Sequence, residues 1–246
     1  MQSVFGPGIA IVTRTDIANP TPVNVGFVNS LSIDQSATTK ELYGQNQYPL
    51  DIARGTVKST GKWVSAIISP NAWNNVFFGQ SVQTGRILWA VDEAGQVPGS
   101  STYTVQVSQH ADFDADLGVR YADTGLPLMR VASGSEVAGK YSVAAGTYTF
   151  AAADASKNLL FTYSYTDTGG AAIKATNQQL GETPTFKLDY YTIRQTKPYI
   201  VRLYRCTSSK ITQAFKLEDF MMPEFEFGFF ADDTGRVIDM YFAENA

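Results

Sequence analysis

Short runs of strand-forming residues, several alternating apolar and polar with a period of two, fill most of this chain. The clearest is Leu159 to Thr166, which sets Phe161, Tyr163 and Tyr165 against Thr162, Ser164 and Thr166. Ile9–Arg14, Thr102–Val107 and Gly146–Ala151 also read as strands, and strand character resumes from Gly85. Gly95, Gly99, Gly118, Gly125, Gly139 and Gly146 recur at turn-like spacing. Only Asn71 to Phe78 reads as helix, short and stopped by Gly79 at the left-handed C-terminal position. Many short strands and one short helix predict a mainly β fold, a sandwich or barrel, in a single domain over residues 1–246.

The tripeptide Asp-Thr-Gly occurs three times, at Asp123, Asp167 and Asp233, each time between strand-like stretches. In aspartic proteases paired copies bring two carboxylates together to share a proton. In sheet proteins the same residues build a hairpin, with Asp and Thr in a type I turn and Gly in the left-handed region. The protease loop wants an apolar residue before the Asp and a small Ala or Ser after the Gly. The flanks here are Ala122/Leu126, Thr166/Gly170 and Asp232/Arg236, and three copies suit a two-carboxylate site poorly. All three therefore read as hairpin turns. They join Leu117–Tyr121 to Leu126–Val131, Leu159–Thr166 to Ala171–Thr176, and Phe225–Phe230 to Val237–Phe242.

One predicted hairpin is unlike the rest. Residues 23–38 and 54–69 are of strand type, with the polar stretch 39–49 between them. One side carries Ser30, Ser32, Asp34 and Ser36 and the other Thr56, Lys58 and Thr60, too little apolar surface to bury both faces within one subunit. An extended hairpin this polar is a solvated flap or a wall shared with neighbours.

Length and composition bound the rest. The 246 residues suffice for a sizeable core, and a 44% hydrophobic content excludes general disorder. No run reaches membrane-spanning length, and the first eight residues lack the regions of a signal peptide, so the expectation is a soluble protein made in a cytoplasm with no membrane partner. A lone Cys206 reads as a small core residue, since it has no partner for an intramolecular disulfide. A net charge of -4 argues against a nucleic-acid binder, although a mildly acidic surface suits one past which DNA slides.

The chemistry-bearing residues are few. His110 and Cys206 are each single of their kind and sit in no nucleophile signature; there is no Gly-x-Ser-x-Gly elbow, and the N and S ligands for zinc are too few. Asp112, Asp114 and Asp116 resemble the start of a calcium loop, but the sharp-turn Gly falls one residue late and the closing residue is Asp123 instead of Glu. The alternative is a solvated strand end. Phe225, Phe227, Phe229 and Phe230 with Tyr241 and Phe242 read as a core hairpin, or as an exposed carbohydrate platform. No catalytic, cofactor or metal residue is assigned, and no enzymatic activity is expected.

The stretch Lys40-Glu41-Leu42-Tyr43-Gly44-Gln45-Asn46-Gln47-Tyr48-Pro49 is followed by Ile52-Ala53-Arg54-Gly55 and Trp73-Asn74-Asn75-Val76-Phe77-Phe78-Gly79. Further along come Gly139–Val143, Gly146–Phe150, Ala153-Asp154 and Lys216–Phe220. In this order the chain resembles the tail tube (major tail) proteins of tailed bacteriophages. The resemblance implies a β-sandwich or barrel with a short helix, an extended hairpin and terminal arms. It also implies assembly into stacked six-membered rings within a virion tail, with DNA only in passage and with other tail proteins, such as a sheath or tail terminator, as partners. No active-site residue or cofactor comes with it. The hairpin over residues 23–69 would then form tube wall. Leu42, Tyr43, Asn46 and Tyr48 become candidates for the contact between rings, and Asp34 a candidate for a carboxylate facing a net-negative lumen; Lys58 or Arg54 could equally claim Asp34 as an interface partner. The competing expectation is a carbohydrate-binding or adhesion module, which would need exposed aromatics such as Trp89 or Tyr43.

Overall fold

The computed structural model describes residues 6–243. In chain order the first strands are β1 (Gly8–Arg14), β2 (Val23–Tyr43) and β3 (Pro49–Ser65), followed by helix α1 (Pro70–Trp73). Next come β4 (Val82–Gln96), β5 (Thr104–Gln106), β6 (Phe113–Tyr121), β7 (Met129–Arg130), β8 (Lys140–Ala144), β9 (Thr147–Phe150) and β10 (Asn158–Ile173). The last four are β11 (Thr185–Arg194), β12 (Lys197–Thr212), β13 (Glu224–Phe230) and β14 (Ile238–Phe242). The fold is mainly β, as the residue pattern predicts.

Where the sequence suggests one domain, the chain packs as two compact units. Unit 1 comprises residues 1–82 and 173–246, and unit 2 the intervening residues 83–172. Each has its own apolar core, a division that alternation along single strands does not disclose.

Unit 1 is a closed antiparallel barrel. Its strands run β1-β2-β3-β13-β12-β11, and β11 returns to pair with β1. Closure leaves alternate residues inside: Ala10 and Val12 of β1, Phe186 and Leu188 of β11, and Phe225, Phe227 and Phe229 of β13 are buried, while Glu224 and Glu226 point outward. Trp63 sits at the centre, its ring 5.0 Å from Phe225 and 5.1 Å from Phe227. Gly61 makes room for this packing, because a Cβ there would lie 2.3 Å from the Phe227 ring.

Helix α1 plugs one end of the barrel with Ala72. The Ser69 hydroxyl accepts from the Ala72 amide at its N-terminus, with Pro70 in the first turn. A single π turn over Asn74–Phe78 extends it and buries Val76. Gly79 ends it at φ 68, its amide bonded to the Asn74 carbonyl at 2.7 Å, as the sequence indicates.

Unit 2 is a small sandwich of a three-stranded sheet, β4-β10-β6, and a four-stranded sheet, β5-β9-β8-β7. Phe161 of the first sheet lies 4.9 Å from Tyr148 and 6.2 Å from Phe150 of the second.

The three Asp-Thr-Gly copies meet different fates. Asp123-Thr124-Gly125 does turn the chain back antiparallel: Gly125 N–H bonds the Tyr121 carbonyl and Arg120 bridges Pro127. The second expected hairpin is absent, because Asp167-Thr168-Gly169 runs inside the continuous strand β10. There β10 pairs with β4, and Asp167 is neutralised by Arg86 at 2.6 Å, so ladder and ion pair outweigh the turn preference of these residues. At the third copy the turn is real but the hairpin is not. Asp232 accepts from Thr234 and Arg236 and draws the loop tight. Yet β13 and β14 do not pair with each other; they follow one another along the edge of β12 opposite β11. The loop is an excursion from one edge, not a reversal. The family resemblance also implies terminal arms; the chain ends, residues 1–5 and 244–246, lie outside the described residues.

Candidate assembly surface

The hairpin of β2 and β3 outruns the barrel that carries it. Its neighbour β1 stops pairing with β2 at Val28, and β13 stops pairing with β3 at Thr60. Beyond those points, among the described residues, β2 and β3 pair only with each other, out to Tyr43 opposite Pro49. The eleven steps from Thr60 to Pro49 at roughly 3.3 Å each make an arm about 35 Å long. The strands extend further than the sequence suggests, so the connecting loop shrinks from residues 39–49 to 44–48. Gly55 helps the arm close, since a Cβ there would meet the Thr38 hydroxyl at 2.6 Å.

All four candidates for the ring contact lie at the arm tip and are exposed: Leu42 by 62%, Tyr43 by 56%, Tyr48 by 81%, and Asn46 beside them. Strand alternation turns Leu42 and Tyr43 to opposite faces, and the Tyr43 hydroxyl donates to the Glu41 carboxylate. Leu50 and Ile52 join this apolar tip. Composition alone conceals them, because exposure depends on how far the arm projects.

Asp34 lies directly opposite Thr60, exposed and without an ion pair among the described residues. Lys58 shares its face but stands opposite Ser36, and Arg54 stands opposite Thr39 on the other face. Nearby, Lys62 pairs with Glu224 at 2.7 Å and Lys210 with Glu226 at 3.0 Å. Three carboxylates, Asp34, Glu224 and Glu226, are thus balanced by Lys58, Lys62 and Lys210.

Two apolar features escape the sequence reading. Phe27, Ile9, Tyr191, Ile200 and Tyr241 stand directly opposite one another across β2, β1, β11, β12 and β14, a row on the barrel exterior. The loop 213–223 between β12 and β13 exposes Phe215, Leu217 and Phe220 by 80%, 92% and 89%.

The chemical candidates disperse. Asp116 is a buried carboxylate that accepts from the Tyr141 and Tyr148 hydroxyls at 2.8 and 3.0 Å, while Asp114 accepts from Ser164. Burial, followed by contact with Asp116, pushes both tyrosines above their ordinary range. Among the described residues no three potential ligands group to hold a metal. Asp167 is paired with Arg86 and Asp233 with Arg205. Cys206 is fully buried in unit 1, its thiol pushed up by burial, and His110 in unit 2 bonds the Val107 carbonyl. Of the six aromatics read as a core hairpin or a platform, Phe225, Phe227 and Phe229 are core, while Phe230, Tyr241 and Phe242 are exposed by 42%, 45% and 62%. The exposed aromatic of unit 2 is Trp89, 67% exposed between Ile87 and Val91 on β4. Elsewhere along β4, Arg86 pairs with Asp167 and Asp92 pairs with Arg120 at 2.7 Å.

Among the described residues no helix is long and apolar enough to cross a membrane. Comparison with models of protein families and with curated proteins finds no match to the chain.

Proposed function

We propose that this chain is a structural subunit that assembles with copies of itself into stacked six-membered rings, the wall of a bacteriophage tail tube conducting DNA. The observation that carries the reading is the arm. A two-stranded ribbon is marginal in water by itself, and among the described residues neither outer edge of this one has a strand partner. Its tip adds exposed leucine, isoleucine and tyrosine. Neighbouring copies would supply hydrogen bonds to the edges and cover for the tip. The exterior row from Phe27 to Tyr241 gives the barrel a further apolar strip for lateral contact.

In this assembly Asp34 and its face would line the lumen. Lysines and acids are in balance on that face, so it departs from the net-negative lumen expected from the sequence, and a weakly charged wall would still favour passage of DNA over adhesion because few phosphates are neutralised. Negative-stain electron microscopy of the concentrated protein tests the reading: rings or tubes are expected, and a monomer under every condition contradicts it.

A second reading concerns unit 2 alone. Trp89 is an exposed ring between Ile87 and Val91, the kind of surface on which a sugar ring stacks. Glycan-array binding that disappears in Trp89→Ala would support an adhesion role.

A further inference from the structure

A strand at the edge of a sheet leaves every second N–H and C=O without a strand partner, and folds protect such edges with short strands, bulges, charges or a covering loop. Three of the four edges in unit 2 are protected in this way. β5 and β7, which bound the four-stranded sheet, have three and two residues. β6 slips against β10 beside Gly118 and is covered by the segment 126–128, where the Tyr121 amide bonds the Leu126 carbonyl and the Leu128 amide bonds the Val119 carbonyl. The fourth edge, β4, is bare over its middle. Among the described residues it pairs only with β10. Between Gly85 at φ 98 and Asp92 at φ 57 runs Arg86-Ile87-Leu88-Trp89-Ala90-Val91, with no charge after Arg86 and no Pro or Gly. Ile87, Trp89 and Val91 share its exposed face.

We infer that β4 pairs edge to edge with β4 of a second copy, antiparallel about a two-fold axis through Trp89, so that two three-stranded sheets become one of six. The inference concerns unit 2 alone and does not rest on the tube reading.

The occupant follows from the residues of the edge, which complement themselves when two copies run in opposite directions. Arg86 of one copy meets Asp92 of the other, Ile87 meets Val91, Leu88 meets Ala90, and Trp89 meets Trp89. A slip of two residues keeps every side chain on its own face but sets Arg86 against Ala90 or Ala94 and Asp92 against Thr84 or Leu88, and parallel pairing in register sets like charges together. Charge therefore selects one register. Both charged groups have capacity for it. Arg86 holds Asp167 through Nε, leaving its Nη groups without an acceptor among the described residues. Asp92 accepts from Nε and Nη2 of Arg120, and a carboxylate has about four acceptor sites. Seven residues a side make a contact below about 1,000 Å², the size of weak or transient interfaces, so pairing requires crowded subunits. Being isologous, it joins two copies and stops.

The double variant Ile87→Cys/Val91→Cys, made in the full chain with buried Cys206 in place, tests the register. Opposed residues in an antiparallel pair have Cα atoms about 4.5–5.5 Å apart, within disulfide range, whereas positions 87 and 91 of one strand lie about 13 Å apart and cannot bridge within a copy. Mild oxidation of concentrated protein should give covalent dimers and nothing larger on a non-reducing gel, and each single variant should stay monomeric. Dimers from Ile87→Cys alone would mean that like residues meet, and no dimer from the double variant would mean that the edges do not; either result overturns the pairing. Tubes seen by electron microscopy without dimers would do the same and leave the tube reading standing. Adding Trp89→Lys, an exposed position, sets two like charges against each other on the axis. It should keep the wild-type circular dichroism spectrum and lower the dimer yield at least tenfold, and an unchanged yield would mark the dimers as chance collisions and refute the inference.

Discussion

Replacing Trp63 with Ala separates the two cores energetically. Trp63 is fully buried and touches Phe186, Phe225 and Phe227 from two other strands, so the barrel cannot collapse around the hole without moving several strands. Truncating a buried aromatic of this kind costs about 3–5 kcal/mol. One effect opposes the loss: the indole Nε1 is buried without an acceptor, and an unpaired buried N–H costs about 1–3 kcal/mol that the variant recovers in part. Packing wins, leaving a net loss of about 2–4 kcal/mol. For a folding unit of this size each kcal/mol lowers the midpoint by about 2–4 °C, so the unit 1 transition should fall by roughly 4–16 °C. Differential scanning calorimetry resolves it. The transition of unit 2, whose core contains none of these residues, should stay in place. Trp63→Phe keeps a ring and removes the stranded N–H, and should lie within about 1 kcal/mol of wild type. Equal falls in both transitions would refute the division into two cores, and an unmoved unit 1 transition would refute the packing argument.

Three further outcomes are expected. Gly61→Ala drives a methyl into the immobile Phe227 ring and should destabilise unit 1 by about 1–3 kcal/mol in urea titration. Burial first, then hydrogen bonds to Asp154 and Glu93 respectively, raise Tyr121 and Tyr163 to about 12, so their contribution to unit 2 is complete below the unfolded value near 10 and is lost as pH rises through about 12. Denaturation of unit 2 should therefore become easier from pH 10 to 12, with a shallower slope in Tyr121→Phe and Tyr163→Phe. Leu42→Gly/Tyr43→Ser should leave a folded protein whose thermal midpoint stays within about 2 °C of wild type, because both side chains are exposed, yet whose tubes fail to elongate by electron microscopy.

Alternation along the chain was enough to announce a mainly β protein, because burial on one face of a strand leaves its mark every second residue. β1, β11 and β13 all carry it. The helix stop at Gly79 was also legible, since a left-handed C-terminal residue is a local requirement that glycine meets. The projecting hairpin was visible in the serines, threonines and charges of β2 and β3, which no single-subunit core could use. Local chemistry could not say which Asp-Thr-Gly would become a hairpin. At Asp167 a neighbouring strand and Arg86 kept the chain extended, and at Asp233 the edge of β12 recaptured it after a tight loop. Barrel closure through β11 and β1, and the second core inserted between residues 82 and 173, depend on pairings between residues far apart in sequence. Those pairings are set by which strands can satisfy each other's edges and exclude water together, and a single strand's pattern carries no record of its partner.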